Sequence, residues 1–368
     1  MEEQIRMEKK ILNQTSCQTP KSLGFHMPAE WESQEAICLS WPKNKETWMH
    51  HLSAVQEIFI QFVFHLHTGQ KVFILVDDKK TEQLITKRLQ ENKINLSQIT
   101  FFQLKTIDSW MRDIGPTFLV GKKTKEGAKE RAMVEWIYNA WGNKYDDLLP
   151  DTGLPERMNQ FPLLKYLKRF EPKIVLEGGS IEVNGNGTCL TTKQCLLNKN
   201  RNPQLSQTEI EEYLKEYLGL SQVIWLNEGI VGDDTDGHID DLSRFVNKTT
   251  ILTAYEDDQA DENYLILDEN YKLLKKAKDL DGKPFTIIKL PMPGKLIEEG
   301  RRMPASYANF YIGNKAVIVP IFGHKNDEKA LKILQNCFPD RKVVGINCVP
   351  LVYGFGTLHC ISQQLPSG

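Results

Sequence analysis

Two short turn signals constrain this chain more than any other feature. Asn184-Gly185-Asn186-Gly187 separates two β-rich runs, 180–183 and 188–192, and Gly313-Asn314 separates 308–312 from 316–320. Asn-Gly and Gly-Asn pairs suit tight hairpins, so both places predict antiparallel neighbours. Elsewhere the chain steps from a short strand to a helix. A buried strand over 36–41 stops at Pro42, and a helix over 47–67 puts Val55, Ile58, Phe59, Phe62, Val63 and Leu66 on one face. Further strands are predicted at 71–76, 99–104, 223–226 and 342–346, with helices at 80–91 and 327–338. Ser206 and Glu209 form a capping box ahead of another helix, which ends at Gly219. Hairpins mixed with strand–helix steps do not fit a purely parallel doubly wound sheet. The expectation is a mixed α/β protein.

The length of 368 residues would allow two domains, but no Pro/Ser-rich linker marks a boundary. One compact domain over 25–368 is expected, behind a polar, flexible tail over 1–24 that lacks the apolar stretch of a secretory signal. A formal net charge of −2 offers no basic stripe for nucleic acid and no attraction to anionic membranes. No apolar run reaches the roughly 18–20 residues that span a bilayer. The seven cysteines show no paired spacing and read as reduced thiols of a cytoplasmic protein. No glycine-rich phosphate cradle precedes a helix.

Four segments set unusual polar groups beside glycines: 108–116 with Trp110 and Asp113, 177–180 with Glu177, 233–241 with His238 and Asp240, and 354–360 with Cys360. Glycine permits close approach of the backbone to a ligand. If 238–240 is extended, His238 and Asp240 face one side, as an acid/base pair or as an acidic turn capping a strand. Asp113 could equally pair with Arg112, and Glu177 could cap its turn. Together, several carboxylates around one histidine need a metal or a cationic ligand as counter-charge. Cys360 favours the cation. A thiol among carboxylates resists ionisation until a positive group arrives. A guanidinium supplies that charge and a planar fork of N–H donors.

These segments, with WMRDIGPTF, NAWGNKYDD, EGGSIEVNGNGTCLTT, GDDTDGHIDDLSRF and GFGTLHCISQQ, resemble the agmatine deiminase and bacterial-type peptidylarginine deiminase family of the guanidine-modifying superfamily. The resemblance implies a single-domain, five-bladed α/β-propeller with a central site. It also implies Cys360 as nucleophile, His238 as acid/base, and Asp113, Glu177 and Asp240 as guanidinium-binding carboxylates, with Trp110 lining the channel. Turnover would pass through an amidino-cysteine without metal or organic cofactor, and homo-oligomerisation would follow the family. Agmatine is the expected substrate, in polyamine supply, because acidic loop 232–236 and Trp110, Trp136 and Trp141 could form walls suited to an ammonium tail. Arginine and peptidylarginine are the alternatives within the family, and an amidinotransferase is one within the superfamily. A metal-dependent hydrolase using Asp113, Glu177, His238 and Asp240 would leave Cys360 without a purpose. A non-catalytic polyamine binder would need neither thiol nor histidine.

Overall fold

The computed structural model describes residues 18–124 and 127–368. Most of the expected tail, residues 1–17 with Cys17, lies outside them. Residues 18–24 lie against the body of the protein. Thr19 Oγ1 donates to Glu216 Oε2 at 2.7 Å, and Lys21 Nζ donates to the Leu220 carbonyl at 2.9 Å.

The strands follow in chain order: β1 (Gln34–Ser40), β2 (Lys71–Val76), β3 (Ile99–Gln103), β4 (Thr117–Lys123), β5 (Lys129–Val134), β6 (Lys168–Phe170), β7 (Glu182–Val183), β8 (Thr188–Thr192), β9 (Gln222–Leu226), β10 (Ser243–Asn247), β11 (Thr250–Tyr255), β12 (Thr286–Pro291), β13 (Ile297–Glu298), β14 (Arg301–Arg302), β15 (Tyr311–Ile312), β16 (Ala316–Ile321), β17 (Lys342–Asn347) and β18 (Ser362–Pro366). Four sheets repeat one pattern, β4-β5-β6, β7-β8-β9, β10-β11-β12 and β15-β16-β17. In each, the first pair is antiparallel and the second parallel. The fifth sheet has the same start made from distant chain segments. There β18 pairs antiparallel with β1, which runs parallel to β2 and β3. Hairpins supply the antiparallel pairs, and helical crossovers supply the parallel ones, because parallel neighbours cannot be joined by a tight turn. The remaining pair, β13-β14, is a small separate hairpin. The architecture is mixed α/β.

The helical stripe expected over 47–67 holds, although the chain first makes short turns at Lys45–Trp48 and Met49–His51 before the helix Leu52–Leu66. Its predicted face is buried, and it packs in the largest apolar cluster with β1, β2 and β16. The capping box forms as read, with Ser206 and Glu209 exchanging hydrogen bonds ahead of Gln207–Leu218. The hairpin at 184–187 uses Gly187 at φ +89°. At the second hairpin neither Gly313 nor Asn314 takes a positive φ. There the Asn314 side chain stitches the turn to β1, accepting from Gln34 N at 2.9 Å and donating to its carbonyl at 2.7 Å.

Two local expectations are corrected. Residues 308–310 are not strand, because the Ala308 and Phe310 carbonyls accept from Arg244 Nη1 at 3.2 and 2.6 Å instead of from a ladder. Residues 239–241 are a single 3-10 turn rather than extended, with His238 just before it.

Arg244 on β10 ties the sheets together from inside. Fully buried, it donates from Nε to Glu182 Oε2 at 2.9 Å and from Nη2 to Glu30 Oε2 at 3.0 Å, and it lies over the Phe310 ring. Arg244→Ala strands two buried carboxylates, and removing one partner of a buried pair costs about 3–5 kcal/mol. Urea unfolding should show a loss of this size, and a loss within noise would contradict the assignment.

Candidate active site

Each of the five sheets begins just after a segment carrying site groups. The turn Met111–Ile114 precedes β4, Gly178–Ser180 precedes β7, Ile239–Asp241 precedes β10, residues 306–309 precede β15, and residues 357–360 precede β18. Antiparallel first strands therefore deliver Asp113, Glu177, Asp240, Asn309 and Cys360 to one buried place.

Gly179 lies at its centre. A Cβ there would come within 2.5 Å of His238 Nδ1, 3.0 Å of Asp113 Oδ1 and 3.1 Å of Asp240 Oδ2, so only a bare backbone fits. Its N–H donates to Asp113 Oδ1 at 2.9 Å, while Trp141 Nε1 donates to Asp113 Oδ2 at 2.9 Å. Asp113 does not pair with Arg112, whose guanidinium instead turns to Gln363, Gln364 and Glu30. Glu177 does not cap its turn, because Arg201 Nε holds its Oε1 at 2.7 Å. The Cys360 sulfur lies 3.7 Å from Asp240 Oδ2 and accepts a hydrogen bond from Asn309 Nδ2 at 3.1 Å. His238 Nδ1 lies 3.9 Å from Asp113 Oδ2.

Four buried polar atoms in this cluster accept or donate no hydrogen bond of ordinary geometry among the described residues: Glu177 Oε2, Asp240 Oδ1 and both ring nitrogens of His238, which has Asp113 and Cys195 beside it. Buried polar atoms are ordinarily satisfied, and leaving one unmet costs free energy. Their convergence is the mark of a place for a ligand rich in hydrogen-bonding groups.

The electrostatics are one-sided. Burial, then Asp240, Asp241 and Asp113, push the Cys360 thiol well above the usual cysteine range. Burial also raises Asp113, reinforced by Asp240 and Glu177. Burial would lower the pKa of His238, but Asp113, Cys195 and Glu177 outweigh it and hold the ring well above the ordinary histidine value. Burial would raise Asp240, yet the His359 hydrogen bond and charge keep it lowered. Both shifts run toward the protonated forms, a thiol and an imidazolium.

Two sets of donor atoms lie close enough to share a metal ion here, Glu177 with Cys195 and His238, and Asp240 with Asp241 and Cys360. In the first, Glu177 has Oε2 free beside the oxygen that Arg201 holds.

A cavity of about 530 Å³ leads in from the surface, and Trp110, Asp113 and Trp141 are on its wall. Cys360, His238, Glu177 and Asp240 are not among its lining residues. Trp136 is not part of the wall. Its indole donates to Thr117 Oγ1 and packs in a separate apolar cluster. From the acidic loop, Asp234 and Thr235 face the cavity, whereas Asp236 pairs with Arg201 and Lys144. Reading the sequence missed Glu30, Arg201, Asn309 and His359. His359 reads only as the neighbour of Cys360, and the other three stand in stretches 27–31, 197–203 and 304–314, which share in the family resemblance without giving them a role.

A cysteine, a histidine and three carboxylates thus meet where five sheets converge, an arrangement suited to a cationic ligand. The chain belongs to the Porphyromonas-type peptidyl-arginine deiminase family, whose pattern matches residues 26–366. Among its relatives is the agmatine deiminase of Medicago truncatula, 38% identical over 374 residues, which cover 95% of this chain and 98% of that protein. The structure is similar to that of the agmatine deiminase of Enterococcus faecalis, at 34% identity and a TM-score of 0.85 over 96% of this chain and 98% of the other. It is also similar to a cysteine-to-serine variant of the Campylobacter jejuni agmatine deiminase with substrate bound, at 34% identity and a TM-score of 0.83 over 94% and 97%.

The raised thiol makes a chemical prediction. Without ligand, Cys360 should react with iodoacetamide slower than free thiols at pH 7, by about tenfold or more, because the thiolate is the nucleophile. The rate should still be climbing above about pH 9, past the ordinary cysteine value. Peptide mass spectrometry follows it, and a plateau below pH 8 would contradict the charge balance.

Proposed function

We propose that this protein is an agmatine deiminase, a hydrolase that converts agmatine and water to N-carbamoylputrescine and ammonia. The observation that carries the reading is the set of unpartnered buried atoms on Glu177, Asp240 and His238 beside the Cys360 sulfur. A guanidinium offers five N–H donors in one plane and a positive charge, which is what two free carboxylate oxygens and a suppressed thiol lack.

In this mechanism Asp113, Glu177 and Asp240 hold the guanidinium with its carbon over the sulfur. Its charge offsets the acidic neighbours, the thiol gives up its proton to solvent, and the thiolate adds to the carbon. His238, held as an imidazolium, protonates a terminal nitrogen. The C–N bond breaks, ammonia leaves, and an amidino-cysteine remains. The neutral His238 then takes a proton from water as its oxygen attacks the same carbon. The C–S bond breaks, the ureido product departs and Cys360 returns. Asn309, donating to the sulfur, favours the thiolate during both halves.

The cavity supports a small cationic tail. Its walls carry seven acidic side chains, among them Asp234, Glu298 and Glu299, against one cationic residue, Arg301. Arg301 is stacked 3.9 Å from the Phe355 ring centre. Its volume suits a ligand of metabolite size. The five sheets, each preceded by a site segment, support a five-bladed propeller about the buried cluster, with 25–368 as one catalytic domain. The six described cysteines are free thiols, consistent with a cytoplasmic enzyme in polyamine supply.

The test is ammonia release from agmatine, arginine and a blocked arginyl peptide, with EDTA present. Agmatine should give the highest kcat/KM, and arginine winning would overturn the substrate assignment. Cys360→Ser should lower kcat by at least about 10⁴-fold, as losing a catalytic nucleophile does. Activity lost to EDTA but kept in Cys360→Ser would favour a metal-dependent hydrolase instead. Burial raises Asp234 to about 6, so it loses its charge as pH falls through that value. KM for agmatine should rise there, with kcat changing less.

A further inference from the structure

We propose that His359 is a positioning residue. Protonated on both ring nitrogens, it joins Glu30 to Asp240 and holds the Asp240 carboxylate toward the sulfur of Cys360. The role of Asp240 in this proposal rests on the deiminase reading above.

The geometry leaves little choice of protons. His359 Nδ1 lies 2.7 Å from Asp240 Oδ2, and Nε2 lies 2.8 Å from Glu30 Oε2. Two contacts this short between ring nitrogens and carboxylates need a proton in each. A neutral imidazole supplies only one. Neither carboxylate is a natural proton carrier here. Glu30 is buried, but Arg244 and Arg112 both face it, at 3.0 and 3.5 Å. With Glu30 Oε2 already facing two guanidinium groups, the geometry assigns both protons to the ring.

The surrounding charges close on themselves. His359, Arg112 and Arg244 face Glu30, Glu182 and Asp240, three cations against three carboxylates. The main chain at His359 is fixed as well. Its N–H donates to Asn309 Oδ1 at 3.1 Å, and its carbonyl accepts from Arg112 Nε at 3.4 Å. One oxygen of Asp240 is thus committed to His359 and lies 3.7 Å from the sulfur, while the other, Oδ1, is left without a protein partner for the substrate. A free Asp240 side chain could rotate or take up a proton, and a protonated carboxyl no longer attracts a guanidinium.

Two substitutions divide the histidine's functions. In His359→Asn the amide nitrogen stands near the place of Nδ1 and can still donate to Asp240. In His359→Gln it stands nearer the place of Nε2 and reaches Glu30 only. Loss of a group that orients a reactive one commonly costs 10–100-fold, so kcat/KM should fall by about tenfold or less in the asparagine variant and by about 100-fold or more in the glutamine variant. In both, the acid limb of kcat/KM should move to higher pH, because removing a cation raises the pKa of Asp240. A merely space-filling histidine would lower both variants alike and leave that limb in place, and this result would overturn the proposal.

Should the variants not fold, histidine-selective ¹⁵N NMR of the His238→Asn protein decides. One ring should carry protons on both nitrogens, each held in a hydrogen bond to a carboxylate, and the absence of any such ring would overturn the proposal. The spectrum needs no substrate. Failure of the wild-type protein to release ammonia from agmatine would therefore reject the function without touching the state of His359.

Discussion

Buried negative charge is the constraint on which this structure turns. Carboxylates removed from water must meet cations or hydrogen-bond donors, or they take up protons. Glu30, Glu177, Glu182 and Asp240 are all buried within the fold; three buried arginines answer the glutamates, Arg112 from the turn before β4, Arg201 from between β8 and β9, and Arg244 from β10, while His359 answers Asp240. Arg112 and Arg244 meet acids of other repeats, whereas Arg201 meets Glu177 of its own repeat and Asp236 ahead of the next. Assembly of the repeats therefore brings much of this charge into balance. Two carboxylate oxygens, Glu177 Oε2 and Asp240 Oδ1, are left over by these pairings in the cluster that holds Cys360.

Much of the site was legible because its signals are local. Asp113, Glu177, His238 and Cys360 stand in short segments where glycine and polar residues alternate, and the chain delivers them as read. The roles of Glu30, Arg201 and Asn309 were not legible. Glu30 reaches His359 across the whole chain, and Asn309 sits in a run that reads as strand until Arg244 claims the carbonyls beside it. Such residues acquire meaning only from partners that folding brings near. His238 and Asp240 were expected to face one way by strand alternation. They do converge, but through a single 3-10 turn, so the contact was correct and the local geometry was not.

The fold shows the same division. Hairpins and helices follow from turn chemistry and apolar spacing, both local properties. The recurrence of one sheet pattern five times was hidden, because the repeats share an order of strand pairing and not a sequence of residues. The first repeat is also split, with its leading strand supplied by β18. No scan for regular spacing along the chain would join Ser362–Pro366 to Gln34–Ser40.

That split has a consequence for how the protein comes into being. Cys360 stands two residues before β18, whose pairing with β1 completes the first sheet. During synthesis the early segments emerge long before the strand that anchors the sulfur, and an unfinished polypeptide on the ribosome holds acidic groups with no thiol beneath them. Cleavage of the chain inside β18 would loosen the anchor of the Cys360 sulfur while leaving the other four sheets intact. The sulfur joins the acidic groups only once β18 has been made and paired with β1.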